Sequence, residues 1–240
     1  MYDLTQRQIE ILKCIVKEYI DSAEPVGSET IEKKFDLGVS PATIRNEMAA
    51  MVKTGYLGKT HSSSGRIPTS KALKLYVNEL MKERQMSVAD EVEAKEKVWD
   101  MRQHEPQFLR EMVCNLAQKT GTLSLAVTDK GELFYAGYAH ILETPEFYDI
   151  DFAKNLLTML DNYAFLYQVM QRIESQCSIF LGDDFPEESF QPYGFVFSRF
   201  QTRHNRTGSI GIIGPARLRY EMVIPTVRYY GSLVGEIADW

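Results

Sequence analysis

Arg45 and Asn46 are neighbouring side chains that each present a planar pair of hydrogen-bonding groups. Arg offers two parallel N–H donors, and Asn offers one donor and one acceptor. These pairs match the exposed edges of guanine and adenine respectively. The two residues lie in the stretch Ser40-Pro41-Ala42-Thr43-Ile44-Arg45-Asn46-Glu47-Met48-Ala49-Ala50-Met51-Val52-Lys53-Thr54-Gly55. At about 100° per residue, Ile44, Met48 and Met51 share one side of a helix. Ala42, Asn46, Ala49 and Lys53 share the other, with Thr43 and Arg45 at the flanks. The outer face lacks bulk, so its backbone can approach a partner closely. A polar helix face is equally compatible with plain solvation.

The flanking sequence predicts how such a helix is held. Ser40 is suited to cap its first turn, because the hydroxyl accepts from free amides. Pro41 suits the first helical position, where no N–H is needed. Gly55 suits the left-handed residue that ends a helix. Tyr56-Leu57 then begins a short strand, and Arg66-Ile67 can pair back as a second. Between them runs Gly58-Lys59-Thr60-His61-Ser62-Ser63-Ser64-Gly65, a small, polar, basic loop. Lys59, His61, Ser62, Ser63, Ser64 and Gly65 offer hydroxyls, amides and charge to phosphates, as do Ser40, Lys53 and Lys71. Arg66 is placed to reach a minor groove. Across residues 40–74, Arg45, Lys53, Lys59, Arg66, Lys71 and Lys74 stand against Glu47 alone, a net +5. That local charge argues against an idle hairpin.

Upstream, Thr5 and Gln8 have capping-box spacing, followed by Ile9, Leu12, Ile15, Val16, Tyr19 and Ile20 at helical intervals. Ala23-Glu24-Pro25-Val26-Gly27 breaks that helix. Ser28 is expected to cap a short second helix through Phe35, and Asp36-Leu37-Gly38-Val39 makes the turn. Three helices and a hairpin predict a winged helix-turn-helix. Thr69 or Ser70 starts a fourth helix.

Four motifs carry a family resemblance. Leu4-Thr5-Gln6-Arg7-Gln8, Glu24-Pro25-Val26-Gly27-Ser28, Ser40-Pro41-Ala42-Thr43-Ile44-Arg45-Asn46-Glu47-Met48 and Ser64-Gly65-Arg66-Ile67-Pro68-Thr69 are similar to the N-terminal domain of the HrcA repressors, in that family's order. The resemblance is weaker downstream, in Phe180-Leu181-Gly182-Asp183-Asp184 and in Gly214-Pro215-Ala216-Arg217-Leu218-Arg219-Tyr220. It implies double-stranded DNA as partner, an inverted-repeat operator of chaperone operons, a homodimer, and assistance from the GroE chaperonin. It also implies a GAF-like second domain. An inserted domain usual in the family is expected to be reduced or absent, because residues 107–240 leave little room for it.

The whole chain sets bounds. Its 240 residues suit one or two domains. Residues 1–86 carry thirteen basic and eleven acidic side chains, and the remainder fourteen and twenty-two. A mildly basic head thus precedes an acidic body, which offsets the overall charge of −6 as an argument against nucleic acid. Cys14, Cys114 and Cys177 are far apart and odd in number, so buried thiols in a reducing cytoplasm are expected, not disulfides or zinc. No membrane span and no signal peptide are expected.

The expected organisation is α+β: a winged helix at 1–81, a charged helical linker at 82–106, and a GAF-like regulatory and dimerisation domain at 107–240. Within the last, helices are predicted at 107–119 and 151–172, strands at 122–128, 133–139, 178–181, 194–201 and 209–213, and a closing helix at 217–240 that Pro225 interrupts or begins. The sheet is expected to be antiparallel with helices on one side.

Catalytic readings find little support. Gly208, Gly211 and Gly214 miss the spacing of phosphate-binding loops. Asp183, Asp184, Glu187 and Glu188 read as solvated acids. Ser62-Ser63-Ser64 beside His61 lacks an orienting acid. Neither enzyme activity, a metal nor a cofactor is expected. Two readings stay open: a repressor, or a metabolite-responsive winged-helix regulator whose GAF-like domain binds a ligand. Tyr193, Phe195, Phe197 and Phe200 alternate as in a strand, as core or as the lining of a small pocket.

Overall fold

A computed structural model describes residues 3–59, 65–173, 176–185, 190 and 192–240. The chain forms two compact units, Met1–Lys82 and Glu83–Trp240.

The first unit holds α1 (Gln6–Ser22), α2 (Ser28–Lys34), α3 (Pro41–Lys53), the hairpin β1 (Leu57–Lys59) and β2 (Arg66–Pro68), and α4 (Ser70–Leu75). The Thr5/Gln8 capping box is formed in full. Ala23 ends α1 at φ 59°, and Val26 then bridges to Arg66. Ser28 is the first residue of α2, not its cap, and Phe35 is already extended, so that helix starts and ends one residue earlier than expected. Ile11, Leu12, Ile15, Ile31, Ile44 and Met51 make the core, where each is essentially sealed from water. Thr69 caps α4 by accepting from the Ala72 amide, and α4 packs on α1.

The second unit begins earlier than the sequence suggests. Residues 83–106, expected as a solvated linker, fold with this unit. Their helix α5 (Val88–Trp99) packs Ala94 and Val98 inward against α6 (Glu105–Thr120) and α10 (Tyr220–Ile237). Charges of the 83–106 segment are engaged: Glu83 binds Arg228 through both oxygens at 2.8 Å, Lys95 reaches Glu236 at 2.6 Å, and Asp90 meets Lys119. Pro106 lies in the first turn of α6, where a missing N–H costs nothing.

Five strands form one antiparallel sheet in the order β4-β3-β7-β6-β5, from β3 (Leu123–Thr128), β4 (Leu133–Ala136), β5 (Cys177–Leu181), β6 (Tyr193–Gln201) and β7 (Thr207–Pro215). Helices cover both faces, not one. Tyr193, Phe195 and Phe197 join Leu123, Leu125 and Ile213 in a core with Leu156, Leu160, Leu166 and Val169. The latter four come from α8 (Ile150–Asp161) and α9 (Tyr163–Gln171). The opposite face receives α6 and α10. There α10 approaches so closely that a Cβ on Gly231 would lie 2.2 Å from the Ser198 hydroxyl. Phe200, of opposite parity to Phe197, lies on this second face.

Two further differences have local causes. The expected helix over 151–172 breaks at Asn162 (ψ 79°), whose side chain accepts from the Phe165 amide and so starts α9 afresh. The strand expected to reach residue 139 stops at Ala136, because Gly137 turns left-handed (φ 98°) into the short helix α7 (Tyr138–Leu142). Pro225 neither begins nor ends α10. The Glu221 carbonyl that it leaves without an intrahelical donor accepts from the Arg84 amide at 2.8 Å. The cysteines are free thiols, but they are not all buried: Cys114 is exposed, and Cys14 and Cys177 are half-buried. Glu187 and Glu188 lie outside the described residues.

Arg206 fastens this unit together. Its guanidinium meets both oxygens of Asp129 (2.9 and 3.1 Å) and both of Glu105 (2.9 and 3.1 Å), linking β7 to the β3–β4 turn and the start of α6. The bonds from Arg206 hold the Asp129 carboxyl below the usual carboxylate range. A depressed folded-state value means that this stabilisation is present above the ordinary carboxylate pKa and lost as pH falls through the folded value. Arg206→Ala should therefore cost about 2 kcal/mol at neutral pH. Urea titrations should show the gap between wild type and variant narrowing in acid.

Candidate nucleic-acid interface

Helix α3 is held at three places. Its inner face buries Ile44, Met48 and Met51. At its start the Ser40 hydroxyl accepts from the Thr43 amide (3.3 Å) and lies 3.1 Å from the Thr43 hydroxyl. At its end the Gly55 amide donates to Val52 and the Tyr56 amide to Met51, with Gly55 at φ 77°. This is the paired C-terminal bonding that a left-handed glycine permits.

The outer face is open. Ala42, Arg45, Asn46, Ala49 and Lys53 are exposed, and Thr43 is half-buried. Glu47, the single acid of the basic stretch, is drawn inward. It accepts from the Gln8 side chain at 2.9 Å and lies 3.8 Å from Arg7. The outward surface of α3 is thereby left without a carboxylate among its exposed residues.

The wing is anchored at its base. Leu57 pairs with Pro68, Gly58 with Ile67, and Lys59 with Arg66. Val26 and Arg66 exchange both backbone hydrogen bonds, at 2.8 and 2.9 Å, so a single β-bridge ties the segment after α1 to the base of the wing. Thr69 ties the returning strand to the end of α3, donating to the Gly55 carbonyl at 2.7 Å.

The expected contact residues divide into distinct groups. Ser40, Ala42, Thr43, Arg45, Asn46 and Lys53 come together on one helix, and Lys59 is exposed at the end of β1. His61, Ser62, Ser63 and Ser64 lie outside the described residues. Gly65 is buried, not open to solvent: a Cβ there would meet the Pro25 carbonyl oxygen at 2.8 Å. Arg66 is half-buried and donates to the Gly65 carbonyl at 2.8 Å. Lys71 sits at the C-terminal end of α3, donating to the Thr54 carbonyl at 3.0 Å above the Tyr56 ring. Its charge thus completes the cap, a favourable place for a cation.

Arg45 and Arg66 share the wall of a cleft of about 400 Å³ with Glu24 and Glu29. The sequence alone did not reveal that Val26 bridges to the base of the wing. The signal was present in Pro25, which holds the chain extended directly after the helix break. Among the described residues there is no cluster of three His, Cys, Asp or Glu side chains able to hold a metal, and no helix long and apolar enough to cross a membrane.

Comparison with known proteins adds to this geometry. The family described as "Winged helix-turn-helix transcription repressor, HrcA DNA-binding" matches residues 3–82, and "HrcA protein C terminal domain" matches residues 60–224. The heat-inducible transcription repressor HrcA of Clostridioides difficile is 44% identical over 126 residues, which are 52% of this chain and only 37% of that protein. The heat-inducible transcription repressor HrcA of Thermomicrobium roseum is 23% identical over 331 residues, covering 98% of this chain and 95% of the relative. That alignment is longer than the chain itself, so the relative carries residues with no counterpart here. A crystal structure of a hypothetical protein at 2.2 Å resolution superposes with a TM-score of 0.79 at 18% identity and covers 98% of both chains, so the fold is shared.

Gly65→Ala tests the anchoring of the wing. The added methyl must displace Pro25 or the strand, at a cost of about 1–3 kcal/mol to the first unit. Amide exchange at Val26 and Arg66 should accelerate, while amides of the β6–β7 pair keep their protection.

Proposed function

Because the chain belongs to the HrcA family of transcription repressors, we propose that it represses heat-shock chaperone operons by binding an inverted-repeat operator as a dimer. The family is one of repressors, not of enzymes. The observation that carries the reading is the open, small-residue face of α3, flanked by the anchored wing. Exposed Ala42 and Ala49 permit close entry into a major groove. Arg45, Asn46 and Thr43 then read base edges. Ser40, Lys53, Lys59 and the wing residues His61, Ser62, Ser63 and Ser64 set position on phosphates. Gly65, Arg66 and Lys71 act mainly by shaping the wing and the end of α3, with Arg66 and Lys71 adding positive potential.

Two copies would place two such helices on half-sites about one helical turn, or a multiple of it, apart. The second unit is the regulatory and dimerisation part. Its antiparallel α+β architecture is consistent with a GAF-like fold. The inserted domain usual in the family is reduced or absent in this chain, as the longer relative suggests. Family resemblance adds the physiological frame: a cytoplasmic repressor maintained by the GroE chaperonin, which unfolded proteins occupy on heating, so that the operon is released.

Selection of bound DNA from a random pool at two salt concentrations tests the whole reading. It should return a symmetric consensus whose affinity falls with a slope of about −0.9 per phosphate contact. An asymmetric or absent consensus would remove the dimeric operator reading. Within that consensus, Arg45→Ala should cost about 1–3 kcal/mol and relax preference at one position per half-site. Lys59→Ala should weaken consensus and random duplexes alike. Unchanged operator affinity in Arg45→Ala would show that α3 is not the reading helix.

A further inference from the structure

We propose that two copies of this chain associate through the exposed face that α7 and α8 share, with the two α8 helices packed antiparallel about Leu157. The inference rests on the dimeric reading above and names its surface, which lies wholly within the second unit.

Spacing along α8 makes the face. Ala153, Leu156, Met159 and Leu160 are buried on its inner side. Ile150, Lys154, Leu157 and Asp161 recur at i, i+4, i+7 and i+11, so they form one stripe, and all four are exposed. Tyr138 and Leu142, one turn apart on α7, are exposed as well. Tyr135 sets its ring edge-on to Tyr138, with centroids 5.3 Å apart. Partial burial, Tyr135 and the Asp161 carboxylate together push the Tyr138 hydroxyl above its ordinary pKa, so α7 begins where α8 ends. Tyr148 closes the turn between them (Pro145–Tyr148) and is exposed at the opposite end, next to Ile150.

Tyr135, Tyr138, Leu142, Tyr148, Ile150 and Leu157 are 41–76% exposed. An aromatic side chain has about 150–250 Å² to bury, so these six present on the order of 600 Å². That equals the upper end of the largest apolar patch on a typical monomer, about 300–600 Å². It is also most of the area, about 800 Å² per partner, that a stable complex covers.

Charge names the partner. Lys154 and Asp161 stand on either side of Leu157, two turns or about 10 Å apart along the helix. Neither has an ion-pair partner among the described residues. Asp161 is also the last residue of α8, whose final turn holds no basic residue, and an acid there opposes the helix dipole. Neighbouring acids are already used: Asp149 accepts from the Asp151 amide at 2.9 Å, and Glu146 accepts from Arg217 at 2.9 Å. A stripe with one cation and one anion flanking an apolar centre is complementary to itself. An antiparallel two-fold arrangement brings Lys154 of each copy to Asp161 of the other. It also carries Tyr148 and Ile150 past that point, toward Tyr138 and Tyr135 of the second copy.

Sedimentation equilibrium of the full chain without DNA tests the proposal. The wild type should be a dimer with a Kd of about 10 μM or tighter. Lys154→Glu and Asp161→Lys should each raise that Kd about tenfold or more, because each sets like charges against one another at two symmetric points. Combining the two reversals should restore the wild-type Kd to within about threefold. Leu157→Glu should leave a monomer. These positions are exposed, and recovery in the combined variant reads the pairing apart from any effect on folding. A dimer indifferent to both single reversals overturns this surface and leaves the dimeric reading standing. A combined variant as weak as the single ones does the same. A chain that stays monomeric to about 100 μM overturns the surface and the solution dimer together.

Discussion

The double backbone bond between Val26 and Arg66 is the contact on which the first unit's geometry depends. It joins the segment after α1 to the base of the wing, at the point where Gly65 allows the two backbones to close on Pro25. Thr69 holds the other side of the same hairpin to the last turn of α3. The helix and the wing are thus held by backbone and hydroxyl hydrogen bonds that need no ligand. For a surface that must match a duplex, such preorganisation matters more than the number of contacts, because ordering a loose hairpin on binding would consume part of the affinity.

The same economy governs where charge is placed. Glu47 is turned onto α1 by Gln8 and Arg7 instead of opposing Arg45 on the outer face. Lys71, which a count of charges alone would assign to a partner, neutralises carbonyls at the end of α3. In the second unit several acids have a basic partner within the unit: Glu83 with Arg228, Asp90 with Lys119, Asp129 and Glu105 with Arg206. Carboxylates so paired are fixed in position, which is why a helix as charged as α5 packs against its neighbours.

The parts legible in the sequence were those specified by neighbouring residues. Caps at Thr5, Ser40 and Thr69, the Gly55 stop and the presence of a hairpin after it depend on residues a few positions apart, and they form as local chemistry dictates. The site helix was legible for the same reason, since its faces follow from spacing alone. What escaped depends on distant partners. Residues 83–106 look solvated until Glu236, Arg228 and Lys119 are brought beside them. Pro225 is tolerated inside a helix only because Arg84, far away in the chain, donates to the freed carbonyl. The break at Asn162 hid behind apolar spacing that continues through it, and the buried state of Gly65 depends on Pro25.

A net charge of −6 is compatible with a polyanionic partner because electrostatics in salt water is local. At physiological ionic strength the screening length is about 8 Å, so exposed charges farther away contribute little to the potential at a phosphate. In the proposed docking, a duplex would meet the stretch with a net +5, whose single acid is turned toward α1. The acidic excess beyond residue 86 acts chiefly where screening is weak, at low salt and on non-specific encounters, where it lowers the attraction of the whole molecule for random DNA. Reading chemistry and charge therefore work at different ranges. In the proposed docking, contacts of Arg45 and Asn46 would act within hydrogen-bonding distance and discriminate among bases, whereas the balance between basic head and acidic body would set how long the protein stays on sequences it does not recognise.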